Sequence, residues 1–347
     1  MLFQKYKINN YLFKTSNYKK KVGVICLENG QNVGNILVKF AMFKKLEEYG
    51  FNVTIIASGN FNNPDLSFIK RTIKSRLYII KNNFSELNEN DYDYLLVNSD
   101  QTWSYGIKHF FDVAFLRFAK NWNVKKFIYG ASLSNYRWFF RKRDEEIAKS
   151  LLKNFTGISF REIGTIKLAE DCLGIKGVFV LDPTLLIDRQ YYLNVIQNYK
   201  ADYNSKENFI FVYQLNKNKI IEKVINDSSK ILQYQIYKHQ KNRKDYVESF
   251  LFGVIHCRGI ITDSFHGTIF SIIFDKPFIS FMNKGRGKKR FDSLNEVFNL
   301  GKRIIDTSIN NNIDINLLSE KPRINKALLT QFSIFSINYL KKNLDLL

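Results

Sequence analysis

Val22-Gly23-Val24-Ile25-Cys26-Leu27 is an apolar run that passes through Glu28-Asn29-Gly30-Gln31-Asn32-Val33-Gly34-Asn35 into a segment, Gly34 to Tyr49, with apolar residues at Ile36, Leu37, Phe40, Ala41, Phe43 and Leu46. A short hydrophobic run, a turn and then one apolar helical face is the repeating unit of a parallel sheet with crossover helices. The alternation continues outward, with candidate strands at Asn52 to Ala57, Tyr94 to Val97, Lys126 to Ala131, Gly157 to Phe160 and Val178 to Leu181. Asp182-Pro183 closes the last of these, and the polar stretch Asn198 to Asn208 has few residues able to build a core, so a domain boundary is expected there. Beyond it the rhythm restarts, with strands predicted at Phe209 to Tyr213, Gln233 to Tyr237, Gly259 to Thr262 and Pro277 to Phe281. The chain therefore reads as α/β, with two Rossmann-like domains facing a cleft. Its expected parts are a basic arm (1–21), an N-terminal domain (22–195), a C-terminal domain (196–320) and a helical tail (321–347). In the tail, Leu328, Leu329, Phe332, Ile334, Phe335, Ile337 and Leu340 predict a partly buried amphipathic helix.

Composition narrows the class. With 347 residues and 45% hydrophobic content, two cores can form without disulfides or metals. Cys26, Cys172 and Cys257 have no paired spacing, which argues against a disulfide framework or a zinc knuckle and for a reducing compartment. No run of about 18 apolar residues occurs, and the first residues lack the order of a secretion signal, so a cytoplasmic protein is expected. Lys plus Arg number 53 against 32 Asp plus Glu, a net charge of +21. Such a surface attracts phosphates, anionic lipid or nucleic acid. The excess is scattered lysine and no nucleic-acid module is present, so no nucleic-acid partner is expected. Peripheral contact with an anionic membrane, at the inner face of the plasma membrane, is an expectation from that charge. No phosphate-binding P-loop, paired-histidine metal motif or serine-hydrolase elbow occurs, so neither a metal nor a resident cofactor is expected.

The densest chemistry lies in Ile260-Ile261-Thr262-Asp263-Ser264-Phe265-His266-Gly267-Thr268-Ile269-Phe270-Ser271, an apolar strand delivering polar groups into a helix start. His266, one of four histidines, is a candidate general acid or base among Asp263, Ser264 and Thr268, and Gly267 permits close backbone approach. In Asn98-Ser99-Asp100-Gln101-Thr102-Trp103, Asp100 is open to two readings: it orients an acceptor hydroxyl, or it caps the following helix. Arg161, at the end of the strand before Glu162, either holds a carboxylate or phosphate in a bidentate fork or forms a surface pair with Glu162. Asn32 and Asn35 open a helix whose amides either suit an anion or a sugar or simply close an ordinary strand-to-helix turn. Lys284, Arg286, Lys288, Lys289 and Arg290 form a basic loop, read as a phosphate clamp, a solvated loop or a membrane-surface patch.

Taken in order, Asn32-Val33-Gly34-Asn35, Asn98 to Trp103, Ser159-Phe160-Arg161-Glu162, Leu181-Asp182-Pro183-Thr184, Asp263 to Thr268 and Arg290-Phe291 resemble the polysaccharide pyruvyl transferase family over roughly residues 20 to 306. The resemblance implies a glycosyltransferase-B-like fold and a transferase of capsule, exopolysaccharide or cell-wall polymer synthesis. Phosphoenolpyruvate would be the donor, a glycan or lipid-linked glycan the acceptor, and a cyclic pyruvate ketal the product. It also implies that His266 is catalytic and that Arg161 contacts the donor. Around these two, Asp263 and Asp100 are assigned to hydroxyl activation. Ser264, Thr268, Arg286 and Arg290 are assigned to the donor, and Asn32, Asn35 and Gln101 to the acceptor. Many family members carry Arg where this chain has Ser264, and often glycine where it has Asn98. The competing enzyme reading is a glycosyltransferase using a nucleotide-activated sugar in the same cleft. A non-catalytic lipid or glycan binder is the reading from another class.

Overall fold

The computed structural model describes residues 20–26, 32–58, 68–69, 71–72, 76–80, 84–103, 111–133, 140–201, 208–240, 243–282, 288–308 and 313–347. The basic arm up to residue 19, the turn residues 27–31 and the loop residues Lys284 and Arg286 lie outside the described residues.

Seven strands, β1 (Lys21–Cys26), β2 (Asn52–Ser58), β3 (Arg76–Ile80), β4 (Tyr94–Val97), β5 (Lys125–Ala131), β6 (Phe155–Phe160) and β7 (Val178–Phe179), form one sheet in the order 3-2-1-4-5-6-7. A second sheet of β8 (Phe209–Tyr213), β9 (Gln235–Lys238), β10 (Gly259–Thr262), β11 (Phe278–Phe281) and β12 (Ile304–Ile305) has the order 12-11-10-8-9. The strand pairs of both sheets are parallel. Helices cover both faces of such sheets, so β4, β8, β10 and β11 are buried at every residue and read as continuous apolar runs rather than alternating ones. Each sheet reverses its winding once, between β1 and β4 and between β8 and β10. At such a switch point the loops leaving the strand ends diverge and open a crevice.

Four local expectations change. The strands β3 and β12 were not anticipated; both lie at sheet edges, and β12 is two residues long, too short to show as an apolar run. β7 stops at Phe179 rather than Leu181, because Asp182 caps the 3-10 turn Pro183–Leu185 by accepting the Thr184 amide. β9 starts at Gln235, since the preceding helix, Lys219–Leu232, ends on Gln233 in the left-handed region at φ 55°. The first helix, α1 (Val33–Glu48), buries far more than one face: even Asn35 and Lys39 are covered. It lies between the sheets, so it packs on its own sheet and on the second domain together.

The remaining helices used below are α2 (Lys142–Leu152), α3 (Ile163–Leu173), α4 (Arg189–Ile196), α5 (Lys219–Leu232), α6 (Tyr246–His256), α7 (Phe265–Ile273), α8 (Lys288–Phe298) and α9 (Lys326–Asn343). The domains share one continuous core. Phe40 of α1 lies 6.0 Å from Tyr192 of α4, Tyr192 lies 4.9 Å from Phe270 of α7, and Phe270 lies 5.5 Å from Phe250 of α6. Polar ties cross the same interface: the Val33 amide donates to Tyr246 (3.3 Å), the Ile163 amide to Ser293 (3.1 Å) and Arg71 to Glu248 (2.6 Å).

The tail forms the helix α9, which returns to the first sheet; of the apolar residues expected on its buried side only Leu340 is buried, while Ile334 and Phe335 are exposed. Ser336 accepts the Leu181 amide at 2.9 Å, Tyr339 donates to the Ile128 carbonyl at 2.7 Å, and Thr156 donates to Asn343 at 2.9 Å. Asn343 fills the space over Gly157 that a side chain there would need. Leu340 is fully buried, so Leu340→Ala is expected to lower the unfolding free energy by about 2–5 kcal/mol, read by urea denaturation. Among the described residues, no helix is long and apolar enough to cross a membrane.

Candidate active site

The loops at both switch points meet in one buried cluster. From the first domain come Asn35 at the start of α1, Asp100 after β4, Arg161 after β6 and Asp182 after β7. The second domain supplies Phe265 and His266 at the start of α7 and Arg290 in the first turn of α8. Arg161, Asp182 and His266 are each 3% exposed.

Arg161 is the hub. Its Nη1 donates to Asp182 Oδ2 at 2.7 Å and its Nη2 to Asp100 Oδ1 at 2.8 Å. Asp100 also accepts from the Asn35 side chain and from the Gln101 amide. Asp182 Oδ1 is fixed by the Thr184 amide at 3.1 Å and the Thr184 hydroxyl at 2.7 Å. Asp182 Oδ2 then lies 3.6 Å from His266 Nε2. That is beyond a hydrogen bond but within reach of one on slight closure. Burial by itself raises the carboxyl of Asp182, but His266, Arg161 and Thr184 outweigh it and hold the group well below the usual carboxylate range. At Asp100 burial is likewise outweighed, by Arg161 and then Asn35.

A second cation faces the first. The guanidinium carbons of Arg161 and Arg290 each lie 5.2 Å from the centroid of the Phe265 ring. Burial and the like charge of Arg161 push Arg290 down to about 10. Glu162 is close but bound elsewhere: it takes bonds from Ser132, the Leu133 amide at 3.1 Å and Thr165 at 2.6 Å. Thus Arg161 and Glu162 are not a surface pair. Among the described residues the Asp100 carboxylate bonds Arg161, Asn35 and the Gln101 amide. Buried polar atoms without a partner among the described residues include Asn35 Oδ1, Asn98 Oδ1, Arg161 Nε and His266 Nε2. Buried polar atoms are normally satisfied, so orphans gathered at a strand-end crevice mark where a ligand can bond.

Of the residues singled out from sequence, Asn35, Asp100, Arg161, His266 and Arg290 converge. Asn32 caps α1 by accepting the Gly34 amide, and Ser264 caps α7 by accepting the Gly267 amide. Thr268 bonds the Ser264 carbonyl and the Ser280 hydroxyl within the second domain. Asp263 accepts the Leu215 and Asn216 amides at 2.6 and 3.0 Å, fastening the loop after β8. Gln101 reaches the cluster through its backbone amide.

Three contributors escaped sequence reading. Asp182 was read only as a strand terminator, although a carboxylate at the C-terminal end of a parallel strand sits where ligands bind. Phe265 was masked by its apolar character next to His266. Gly34 lies beneath the imidazole so closely that a β-carbon there would fall 1.9 Å from His266 Nδ1.

The sequence profile of the polysaccharide pyruvyl transferase family matches residues 32–285, from the start of α1 past His266. The chain belongs to that family. Arg290 lies just beyond the matched span. No protein of curated function matches this transferase in sequence. Its fold recurs in solved structures. The UDP-GlcNAc 2-epimerase from Neisseria meningitidis bound to UDP-GlcNAc aligns with a TM-score of 0.57 at 11% identity, over 93% of this chain and 100% of that one. Staphylococcus aureus MnaA in complex with UDP aligns at 0.56 and 15% identity, over 94% and 98%. Arabidopsis thaliana UGT89C1 complexed with UDP-L-rhamnose aligns at 0.56 and 9% identity, over 94% and 98%. At these identities the likeness establishes the glycosyltransferase-B-like pair of domains for this pyruvyl transferase family member.

Proposed function

We propose that the chain transfers the pyruvyl group of phosphoenolpyruvate to two hydroxyls of a sugar in a cell-surface polysaccharide or its lipid-linked precursor. The observation that carries this reading is the pair of buried guanidinium groups, each 5.2 Å from the Phe265 ring, beside His266. The donor is a small molecule with a carboxylate and a phosphate, and two fixed cations match it. Arg290, destabilised by burial and by Arg161, gains most from an arriving anion.

The reaction divides among these groups. An acceptor hydroxyl adds to C2 of the enol while His266 gives a proton to C3, which becomes a methyl group. The proton of that hydroxyl restores His266. A second hydroxyl then displaces the phosphate from C2 and closes the ketal, and its proton leaves with the phosphate as hydrogen phosphate. Arg290 and the Arg161 edge stabilise the departing charge, in a site where water is excluded and charge interactions are strong. Asp100, locked onto Arg161, Asn35 and Gln101, sets the cation's orientation.

The test is ligand-dependent thermal stabilisation, since a ligand that binds the native state raises its melting temperature. Phosphoenolpyruvate is expected to stabilise the wild type, and Arg290→Lys to weaken its apparent affinity at least about tenfold through loss of the fork. Stabilisation by nucleotide sugars alone, with none from phosphoenolpyruvate, would instead identify a glycosyltransferase on the same scaffold.

A further inference from the structure

The Asp182 carboxylate serves two partners with one oxygen. Oδ2 accepts Arg161 Nη1 at 2.7 Å and faces His266 Nε2 at 3.6 Å. Its other oxygen is immobilised by Thr184, so the carboxylate cannot turn away from the ring without breaking two bonds. Asp182 is 3% exposed, and its negative charge lies 3.6 Å from Nε2. The opposite edge of the imidazole is different. Nδ1 packs against Gly34, whose lack of a side chain lets the ring sit where a β-carbon would fall 1.9 Å from that nitrogen.

We propose that Asp182 is a positioning residue that keeps the proton of neutral His266 on Nε2, leaving Nδ1, above Gly34, as the nitrogen that exchanges a proton with the substrate. Neutral imidazole carries one N–H, and the ring nitrogen facing a fixed carboxylate is the one that keeps it. When the ring is charged, both nitrogens carry protons. Asp182 then stabilises the imidazolium through Nε2–H, while the Nδ1 proton is the one delivered. The Asp182 bond to Arg161 ties the orientation of the acid to the cation of the donor site. Assigning the Nδ1 proton to C3 of the donor rests on the pyruvyl-transfer reading; the tautomer does not.

The tautomer can be read without any substrate. In the full chain labelled with 15N-histidine, at a pH where the ring is neutral, His266 signals are assigned by comparison with His266→Gln. The wild type is expected to show a protonated Nε2 and a bare Nδ1. Asp182→Asn offers an amide N–H to Nε2 and is expected to move the population at least about tenfold toward the Nδ1–H form. Its transfer rate should fall about 10²–10⁴-fold, the scale seen when a histidine is held in the wrong tautomer. Thr184→Val retains every charge and removes only the hydroxyl bond to Oδ1, the amide bond remaining, so a smaller shift in the same direction is expected; it serves if the asparagine variant does not fold. A wild type already in the Nδ1–H form, or a tautomer unchanged in whichever variant folds, would overturn the proposal. Because no donor is present, that result is distinct from a failure of phosphoenolpyruvate to bind.

Discussion

Arg161→Ala is expected to lower the unfolding free energy by about 3–5 kcal/mol, the range for removing one partner of a buried ion pair. The reason is that Asp100 and Asp182, 8% and 3% exposed, would be left in the interior without the cation that offsets their burial. The pH dependence has a definite sign. In the wild type both carboxyls are held below their ordinary value. Their stabilising contribution is therefore present above about pH 3.9, the unfolded value, and is lost only as pH falls through the lower folded values. In the variant Asp100 loses the group that most offsets its burial and its folded value rises, while Asp182, held down first by His266, rises less. The penalty is then largest at neutral pH and relaxes as the groups take up protons. The gap between wild type and variant, measured by urea unfolding, should accordingly narrow from pH 7 to pH 5. A gap below about 1 kcal/mol at pH 7 that ignores pH would mean that the carboxylates regain water once the arginine is gone. Arg161→Ala is for the same reason a poor probe of donor binding, and the conservative change at Arg290 is the better one.

Gly34→Ala should reduce the transfer rate by about 100-fold while leaving the protein folded. The added methyl would fall 1.9 Å from His266 Nδ1 and 2.3 Å from its Cγ, so the imidazole has to move. It is boxed by Phe265, 5.2 Å between centroids at 83°, and by Asp182 on its Nε2 side. Displacing a reacting group by about 1 Å is enough for a loss of that size. Stability is a contest of opposite effects: alanine is favoured over glycine inside a helix by about 1 kcal/mol, whereas the clash costs a comparable amount. A small net change in unfolding free energy alongside a large fall in kcat is therefore the expected pattern. It can be read from phosphate release with phosphoenolpyruvate and a glycan acceptor, together with urea unfolding. Full activity in this variant would show that proton transfer does not involve the ring where it now sits.

The parallel-sheet architecture was legible because buried central strands such as β4 and β8 are apolar at every position, and Gly34 to Tyr49 carries an apolar helical spacing. What the spacing could not convey was that α1 is enclosed by two domains at once. That depends on how the domains dock, which is a long-range property. Arg161, His266 and Asp100 could be picked out because each stands where an apolar strand gives way to polar residues. Asp182 stands in the same kind of place, but Asp-Pro has an ordinary use as a strand terminator and turn cap, and that use is also real here. Asp263, equally well placed in sequence, turns its carboxylate to the Leu215 and Asn216 amides. Sequence reveals that a polar residue sits at a strand end; the partner it chooses is decided by neighbours some tens to hundreds of residues away.

The return of α9 to the first sheet means that the chain passes between the lobes twice, once after α4 and once before α9. A lobe tethered at two points can swing about the line through them but cannot simply drift away. Swinging the lobes apart would carry His266 off its seat on Gly34 and away from Asp182, because these sit on opposite sides of the joint. Arg161, Asp100 and Asp182 all ride on the same lobe and would keep one another. An opened molecule would thus retain the half of the site that holds Arg161, while the pairing of His266 with Asp182 would exist only when the joint is shut.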